Sequence, residues 1–175
     1  MNIKTMKKKQ EKLEFPPQKA YFVASMVLIN KKGQLLLTKE KNNRNIWTVP
    51  GGEVEYKKKE QFIDAAIRET KEEVDILVDE KKAQLIDVKI SYAEGDNPYK
   101  KHGIFILIAT CIAHFPANQK IILKRSFDAL ERKYDVKEYI WIAPVEILKK
   151  KIKVHKNFIN TIPIINQWIR KYGRG

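Results

Sequence analysis

The sequence predicts a single α/β domain, built as an α/β/α sandwich around a mixed β-sheet. Runs rich in β-forming residues alternate along the chain with stretches whose apolar residues recur at helical spacing, and this interleaving is typical of the class. A chain of 175 residues with 43% hydrophobic residues suits one globular core. We therefore expect one domain over residues 19–175, preceded by a basic tail over residues 1–18.

The first ordered element is expected to be a β-hairpin. The Lys/Glu-rich start of the chain meets Pro16-Pro17, which is typical of a frayed tail that ends before a domain. Residues 20–29 and 34–38 are then rich in β-forming side chains, and Asn30 and Gly33 between them tolerate positive φ. The pattern predicts two strands joined by a tight turn.

A short strand and an amphipathic helix follow the hairpin. Residues 46–49 form a β-rich run that stops at Pro50-Gly51-Gly52. We expect the chain to turn sharply there, because proline removes a ladder donor and glycine permits unusual backbone angles. Residues 60–74 carry side chains at three- and four-residue spacing that predict a helix with one buried face. These side chains are Ile63, Ala66, Ile67, Thr70 and Val74.

The second half of the chain predicts three more strands and two helices. Residues 83–92 and 103–115 read as long strands joined by a polar loop, and residues 139–142 read as a short strand. Pro144 stands where a helix can begin, because the first turn needs no amide donor. Residues 155–172 repeat apolar side chains at helical spacing and predict a last helix despite Pro163.

The net charge of +14 is concentrated at the two ends of the chain. The first twelve residues carry +4 and residues 149–175 carry +8, so the part between them is nearly neutral. Basic termini are compatible with binding RNA or another polyanion. A solvated tail and a solvated helix face explain them at least as well, so the charge receives little weight.

Composition also limits the expected location of the protein and the role of its single cysteine. No run of about 18 apolar residues is present, and the basic start lacks the apolar core of a secretory signal. We therefore expect no membrane span and a cytoplasmic location. Cys111 is the only cysteine, which rules out an intramolecular disulfide, and its apolar neighbours predict a buried, unreactive thiol.

Three carboxylates on the predicted helix carry the chemical signal. Glu69, Glu72 and Glu73 stand at i, i+3 and i+4, so a helix places them on one face, opposite the apolar face. Like charges at this spacing destabilise a helix by roughly 0.2–0.5 kcal/mol per pair, and a hard divalent cation would offset this. Arg68 can pair with Glu72 across one turn. The three glutamates alone are better explained as a solvated acidic face.

Their surroundings change that interpretation. Residues 51–76, GGEVEYKKKEQFIDAAIRETKEEVDI, resemble the Nudix box, in which a glycine, five residues, a glutamate and seven residues precede REUXEEXGU, where U is apolar. Seven residues separate Glu60 from Arg68, and the RExxEE core is complete. The chain departs from the pattern in three ways. Seven residues instead of five lie between Gly52 and Glu60, Thr70 replaces an apolar residue, and Asp75 replaces the last glycine.

The resemblance implies a metal site and a role for each box residue. The family's metal site falls on Gly51, Glu60, Glu69, Glu72 and Glu73. Within that set the glutamates of RExxEE and the glycine carbonyl are the ligands, and Glu60 supports them. Arg68 orients the site. Oxygen ligands suit Mg²⁺, and Mn²⁺ is compatible with the same set. The helix exit is expected to survive, because Asp75 tolerates left-handed backbone.

The resemblance also implies the reaction, hydrolysis of a diphosphate bond in a nucleoside diphosphate derivative. A carboxylate must accept the proton of the attacking water, and the family's base comes from the box helix or from a later loop. Glu72 and Glu73 are candidates on the helix. The later candidates are Asp128, Glu131, Asp135 and Glu138, of which Asp135 and Glu138 are preferred because they approach the last strand.

Substrate identity stays open at this point. A nucleoside triphosphate or a nucleotide sugar is the expected small-molecule substrate. The alternatives are an RNA 5′-end pyrophosphohydrolase and a catalytically weak nucleotide-binding domain. Lys57, Lys58 and Lys59, within the longer loop, either grip a substrate phosphate or form a solvated surface. A homodimer is compatible with the sequence, which does not decide the oligomeric state.

Overall fold

The computed structural model describes residues 20–40, 46–92, 105–123, 136–149 and 152–173. Within them the strands are β1 (Ala20–Ile29), β2 (Leu35–Glu40), β3 (Trp47–Thr48), β4 (Gly51–Glu53), β5 (Gln84–Tyr92), β6 (Phe105–His114) and β7 (Val136–Ile142). The α-helices are α1 (Phe62–Val74), α2 (Pro144–Lys149), α3 (Lys156–Ile159) and α4 (Ile162–Tyr172). Short 3-10 helices occur at Tyr56–Lys58 and Glu80–Lys82. None of the helices in these ranges has the length and apolar character needed to cross a bilayer.

The mixed β-sheet predicted from the sequence is confirmed, and β1 lies at its centre. The strand order is β3-β2-β1-β6-β5, with β4 paired to β1 and β7 paired to β2. β1 runs parallel to β6 and antiparallel to β4. It pairs with β2 only at Ile29 and Leu35, next to the hairpin turn. Beyond that point β4 takes the same edge of β1, which brings the glycine pair into the sheet.

Apolar layers on both faces of the sheet confirm the sandwich. Ala24, Met26 and Leu28 of β1 pack in the core under α1. Val27 and Ile29 of the same strand pack in a second core under the C-terminal helices. The expectation of a buried thiol is also confirmed, since Cys111 is fully buried and burial raises its pKa to about 11.

The predicted hairpin between β1 and β2 is confirmed. Gly33 has a φ of 71°. The side chain of Asn30 closes the turn, since its Oδ1 accepts from the amide of Lys32 at 2.9 Å and from the amide of Gln34 at 3.0 Å. Gly33 therefore has the positive φ expected of it, whereas Asn30 does not and contributes through its side chain instead.

The predicted sharp turn is found at Pro50, where the chain bends between β3 and β4, but it does not extend to the two glycines. Gly51–Glu53 form β4, and of the glycines in the described residues only Gly33 has positive φ. A Cβ added at Gly51 would lie 2.6 Å from the main-chain oxygen of Ala24. Glycine is required at this position because two backbones approach closely, which the sequence cannot distinguish from a turn.

The helix α1 begins two residues later than expected and ends as expected. Gln61 and Asp64 form a capping box at its start. Asp75 follows its last turn in the left-handed conformation, with φ 61° and its amide bonded to the carbonyl of Lys71 at 3.2 Å. Asp75 therefore occupies the conformation that the family pattern gives to glycine.

The C-terminal region forms two helices where the sequence predicted one. α3 ends at Ile159 and α4 begins at Ile162, with Pro163 in its first turn, where a missing amide costs little. The junction is held by β5, because Lys89 Nζ donates to Thr161 Oγ1 at 2.7 Å and to the carbonyl of Asn157 at 3.2 Å. The break itself follows from Pro163, because in a continuous helix its ring would clash with the carbonyl of Ile159. In the same region, β7 begins at Val136, three residues before the predicted strand.

The left-handed exit of α1 yields a stability prediction at Asp75. Left-handed backbone costs a residue with a Cβ about 1–2 kcal/mol, and aspartate relieves part of this through local hydrogen bonding. We expect Asp75→Ala to lower the free energy of unfolding by about 1 kcal/mol and Asp75→Gly to leave it equal or higher. Urea denaturation monitored by circular dichroism measures both. Equal stability of the two variants would contradict the prediction.

Candidate active site

The guanidinium of Arg68 is the centre of the candidate site. Its Nε donates to Glu60 Oε1 at 2.8 Å, and its Nη1 donates to Glu69 Oε1 at 2.7 Å. Nη1 also lies 3.4 Å from both carboxylate oxygens of Glu72. Nη2 donates to the main-chain carbonyl of Glu53 at 2.8 Å. The expected pairing of Arg68 with Glu72 is present, but it is the longest of these contacts.

The charges of this cluster stabilise one another. Burial alone would lower the pKa of Arg68, but its hydrogen bonds to Glu60 and Glu69 outweigh this and raise the pKa. The hydrogen bond from Arg68 in turn lowers the pKa of Glu60, against the opposing effect of burial. Arg68 and Glu60 are therefore both ionised at neutral pH.

Glu69 is buried, which corrects the expectation that the three carboxylates share one face opposite the apolar side. The residue is only 7% exposed. Its carboxylate lies against β4, where a Cβ added at Gly52 would be 2.5 Å from Glu69 Cδ. The missing side chain of Gly52 leaves room for the carboxylate, and the bond to Arg68 compensates its charge.

The other two box glutamates differ in their surroundings. Glu73 Oε1 accepts from the amide of Gly51 at 3.4 Å. The side chain of Glu72 is 39% exposed. Glu69 and Glu73 thus both contact the glycines of β4, while Glu72 faces water more than Glu69 does.

The donor chemistry of this cluster fits a hard divalent cation. Carboxylate and carbonyl oxygens are the ligands that Mg²⁺ prefers. In the part of the chain that the structure describes, no three Asp, Glu, His or Cys side chains are arranged so that they could hold a metal ion together. The fit therefore rests on the type of donor and on the approach of Glu69 and Glu73 to β4, and binding requires side-chain rotation.

The three lysines of the longer loop are exposed. Lys57 and Lys58 belong to the 3-10 helix, and Lys59 ends it in the left-handed conformation with φ 60°. Lys58 Nζ lies 2.8 Å from Glu55 Oε2, and this hydrogen bond lowers the pKa of Glu55. Lys59 directly precedes Glu60 in the chain and Lys57 lies three positions before it, so the loop carries positive charge next to Glu60 in the sequence.

Of the two preferred later candidates for a base, the structure describes one. Glu138 lies on β7, where its Oε1 is 2.9 Å from Lys39 Nζ, and this hydrogen bond lowers the pKa of Glu138. The same lysine nitrogen lies 5.3 Å from the ring centroid of Trp47. Asp135, like Asp128 and Glu131, falls outside the described residues.

Sequence reasoning missed the main-chain groups of the site. The carbonyl of Glu53 accepts from Arg68, and the amide of Glu55 donates to Glu60 Oε2 at 2.7 Å. Backbone donors and acceptors are present at every residue, so no side-chain pattern identifies the ones in use. The closest signal was the altered loop length between Gly52 and Glu60.

Comparisons with known proteins agree with this architecture. A family model described as NUDIX domain matches residues 21–162. The fold is similar to a C. elegans Ap4A hydrolase binary complex, with a TM-score of 0.63, 18% identity, and coverage of 87% of this chain and 99% of that one. It is similar to the NUDIX domain of Shewanella oneidensis NrtR complexed with ADP ribose, with a TM-score of 0.63, 13% identity, and coverage of 89% and 90%.

A third similar structure is the E. coli dihydroneopterin triphosphate pyrophosphohydrolase. Its TM-score is 0.61 at 18% identity, and the match covers 86% of this chain and 95% of that one. Among curated proteins no sequence matches the chain. At these identities the structures show a shared fold.

The two glycines of β4 yield opposite predictions for alanine substitution. At Gly52 the new Cβ would meet only the carboxylate of Glu69, the end of a flexible side chain. We expect Gly52→Ala to melt near the wild-type temperature but to lose about tenfold or more in kcat. At Gly51 the Cβ would meet the backbone of Ala24 and Ser25. We expect Gly51→Ala to lower the free energy of unfolding by about 1–3 kcal/mol.

Thermal melting and hydrolysis assays on both variants check this contrast. Full activity in Gly52→Ala would mean that the position of the Glu69 carboxylate does not matter. A wild-type melting temperature in Gly51→Ala would mean that β1 and β4 can separate without loss.

Proposed function

Because the chain belongs to the Nudix hydrolase family, we propose that it is a Mg²⁺-dependent enzyme that cleaves a diphosphate bond in a nucleoside triphosphate or a nucleotide sugar. The products are a nucleoside monophosphate and the remaining phosphorylated group. The observation that carries the proposal is the cluster in which Arg68 holds the carboxylates of Glu60, Glu69 and Glu72 beside the β4 glycines.

The residues that would hold the cation are the box glutamates and one glycine carbonyl. They are Glu69, Glu72, Glu73 and Gly51. When bound there, Mg²⁺ neutralises charge on the diphosphate oxygens and lowers the pKa of a water molecule. We assign Glu60 to the support of Arg68 instead of to ligation, because both of its oxygens accept hydrogen bonds from other groups.

The proton of the attacking water needs an acceptor, and we place it on the box helix. Glu72 and Glu73 are the candidates there. Glu138 is less suited in this arrangement, because its bond to Lys39 lowers its pKa and a general base works best with a pKa near the working pH. Asp135 stays a candidate from the sequence.

The names of the similar structures guide the choice of substrates to test. Ap4A, ADP-ribose and dihydroneopterin triphosphate all contain linked phosphates, and each is named only for its own protein. We expect a screen of nucleoside triphosphates, nucleotide sugars, dinucleoside polyphosphates and ADP-ribose with Mg²⁺ to release monophosphate from at least one class. Faster turnover of 5′-triphosphate RNA would favour the RNA alternative, and tight binding without turnover would favour a nucleotide-binding domain.

The metal requirement and the carboxylates yield the central prediction. Glu72→Gln and Glu73→Gln each keep the side-chain shape and remove a charge, so we expect kcat to fall by about a hundredfold or more with the fold intact. Chelation with EDTA should abolish turnover in the wild type. The matched control is Glu80→Gln, which removes an exposed charge outside the box and should leave kcat unchanged.

Steady-state kinetics with circular dichroism on each variant provide the measurement. Wild-type turnover in both box variants, or full activity after chelation, would exclude this mechanism. Loss of activity together with loss of the folded spectrum would show that the carboxylates serve stability instead.

We also assign the exposed lysines of the loop to binding of an anionic part of the substrate. A contact made equally in the ground and transition states contributes uniform binding, so the triple substitution of Lys57, Lys58 and Lys59 by alanine should raise KM several-fold and change kcat little. The control removes three other exposed lysines, Lys31, Lys32 and Lys81. An unchanged KM at low salt would make the loop a solvated surface, and a lost kcat would mean that it positions the metal site.

A further inference from the structure

The loop from β4 to Glu60 is longer than the family pattern, yet both of its ends are fixed. Glu53 pairs with Val23 of β1, and Glu60 is bound by Arg68. The 3-10 helix Tyr56–Lys58 lies between these ends, so the extra length projects outward as an exposed turn. The residues before that turn contact the ion pair between Glu60 and Arg68.

The main chain of residues 53–55 contacts both members of the Glu60–Arg68 pair. The carbonyl of Glu53 accepts from Arg68 Nη2 at 2.8 Å, and the amide of Glu55 donates to Glu60 Oε2 at 2.7 Å. Val54, between them, is 4% exposed, and its amide donates to the carbonyl of Phe22 at 2.9 Å. A buried anchor therefore holds two main-chain groups in place around the ion pair.

We infer that Glu55 is a positioning residue of the active site, acting through its main-chain amide. That amide fixes the carboxylate of Glu60, which fixes the guanidinium of Arg68, and Arg68 in turn orients Glu69 and Glu72. The inference rests on the proposed function, because it assigns these two glutamates to metal binding. Outer groups that orient metal ligands typically contribute 10–100-fold in metal affinity or activity.

The geometry suits this role because each group in this series of contacts has few alternative orientations or hydrogen-bond partners. The guanidinium is planar, so its orientation is set once Nε and Nη2 both bind Glu60. The remaining nitrogen, Nη1, then points at Glu69 and Glu72. Without the Glu55 amide, Glu60 Oε2 keeps only the 3.2 Å contact from Arg68, and the carboxylate can rotate.

Proline at position 55 isolates the amide from the side chain. Glu55 has a φ of −76°, within the range of proline, so Glu55→Pro removes the N–H with little backbone strain. Glu55→Ala removes the same side chain and keeps the N–H. We expect the proline variant to lose about tenfold more in kcat than the alanine variant, while KM changes by a similar small factor in both. Equal kcat in the two variants would overturn the inference.

A double-mutant cycle tests whether the amide acts through Glu60. In a Glu60→Ala background the amide has no carboxylate to hold, so Glu55→Pro should change kcat by less than about twofold there. The same loss in both backgrounds would mean that proline disturbs the loop independently of Glu60, which would overturn the inference.

Two readouts do not depend on turnover. Titration of Mn²⁺ in the absence of substrate should show affinity about tenfold lower for Glu55→Pro than for Glu55→Ala. If the proline variant does not fold, hydrogen exchange provides the test, since the Glu55 amide should be protected in the wild type and lose protection in Glu60→Ala. A rapidly exchanging wild-type amide would overturn the inference. If the Mn²⁺ affinities of the two variants differ in this way but the wild-type protein hydrolyses no substrate, the proposed function is contradicted and the inference about Glu55 is not.

Discussion

The planar guanidinium of Arg68 is the interaction on which the site depends. It joins a helix carboxylate that is almost fully buried, a carboxylate at the far end of a loop and a main-chain carbonyl of the sheet. A buried glutamate is unfavourable without a charged partner, and this arginine offsets that cost for Glu69. The same donors fix the loop to the helix, so electrostatic compensation and geometry come from one side chain. Lysine has a single charged nitrogen and could not make these contacts at once.

Most of the fold could be predicted from the sequence, because the spacing of apolar side chains and the turn-forming residues depend directly on the secondary structure. The hairpin at Asn30 and Gly33 and the helix α1 were found from local chemistry alone. The failures have two origins. The break between α3 and α4 follows from a local signal, because in a continuous helix the ring of Pro163 would clash with the carbonyl of Ile159, where α3 ends. The glycine pair forms a strand because β1 passes close beside it, and local sequence carries no information about that neighbour.

Most side chains of the candidate site could also be predicted from the sequence, but its burial and its main-chain contacts could not. The box pattern identified Arg68 and its glutamate partners, which the structure brings together around one guanidinium. The pattern could not show that Glu69 is buried, because its burial depends on two tertiary features, the space above Gly52 and the ion pair with Arg68. The main-chain groups of the loop left no trace in the sequence.

The pairing of β1 with β4 has an evolutionary consequence. Apolar residues line both faces of β1, so alternation of side chains does not by itself specify its register. The register is fixed sterically at Gly51, which stands opposite Ser25, because a Cβ there would meet the backbone of Ala24 and Ser25 and force the two strands apart. Glycine at position 51 is therefore inherited together with the backbone path of Ala24 and Ser25. A lineage that places a larger residue at position 51 loses this strand pairing, so the central strand and a glycine some way along the sequence are constrained together.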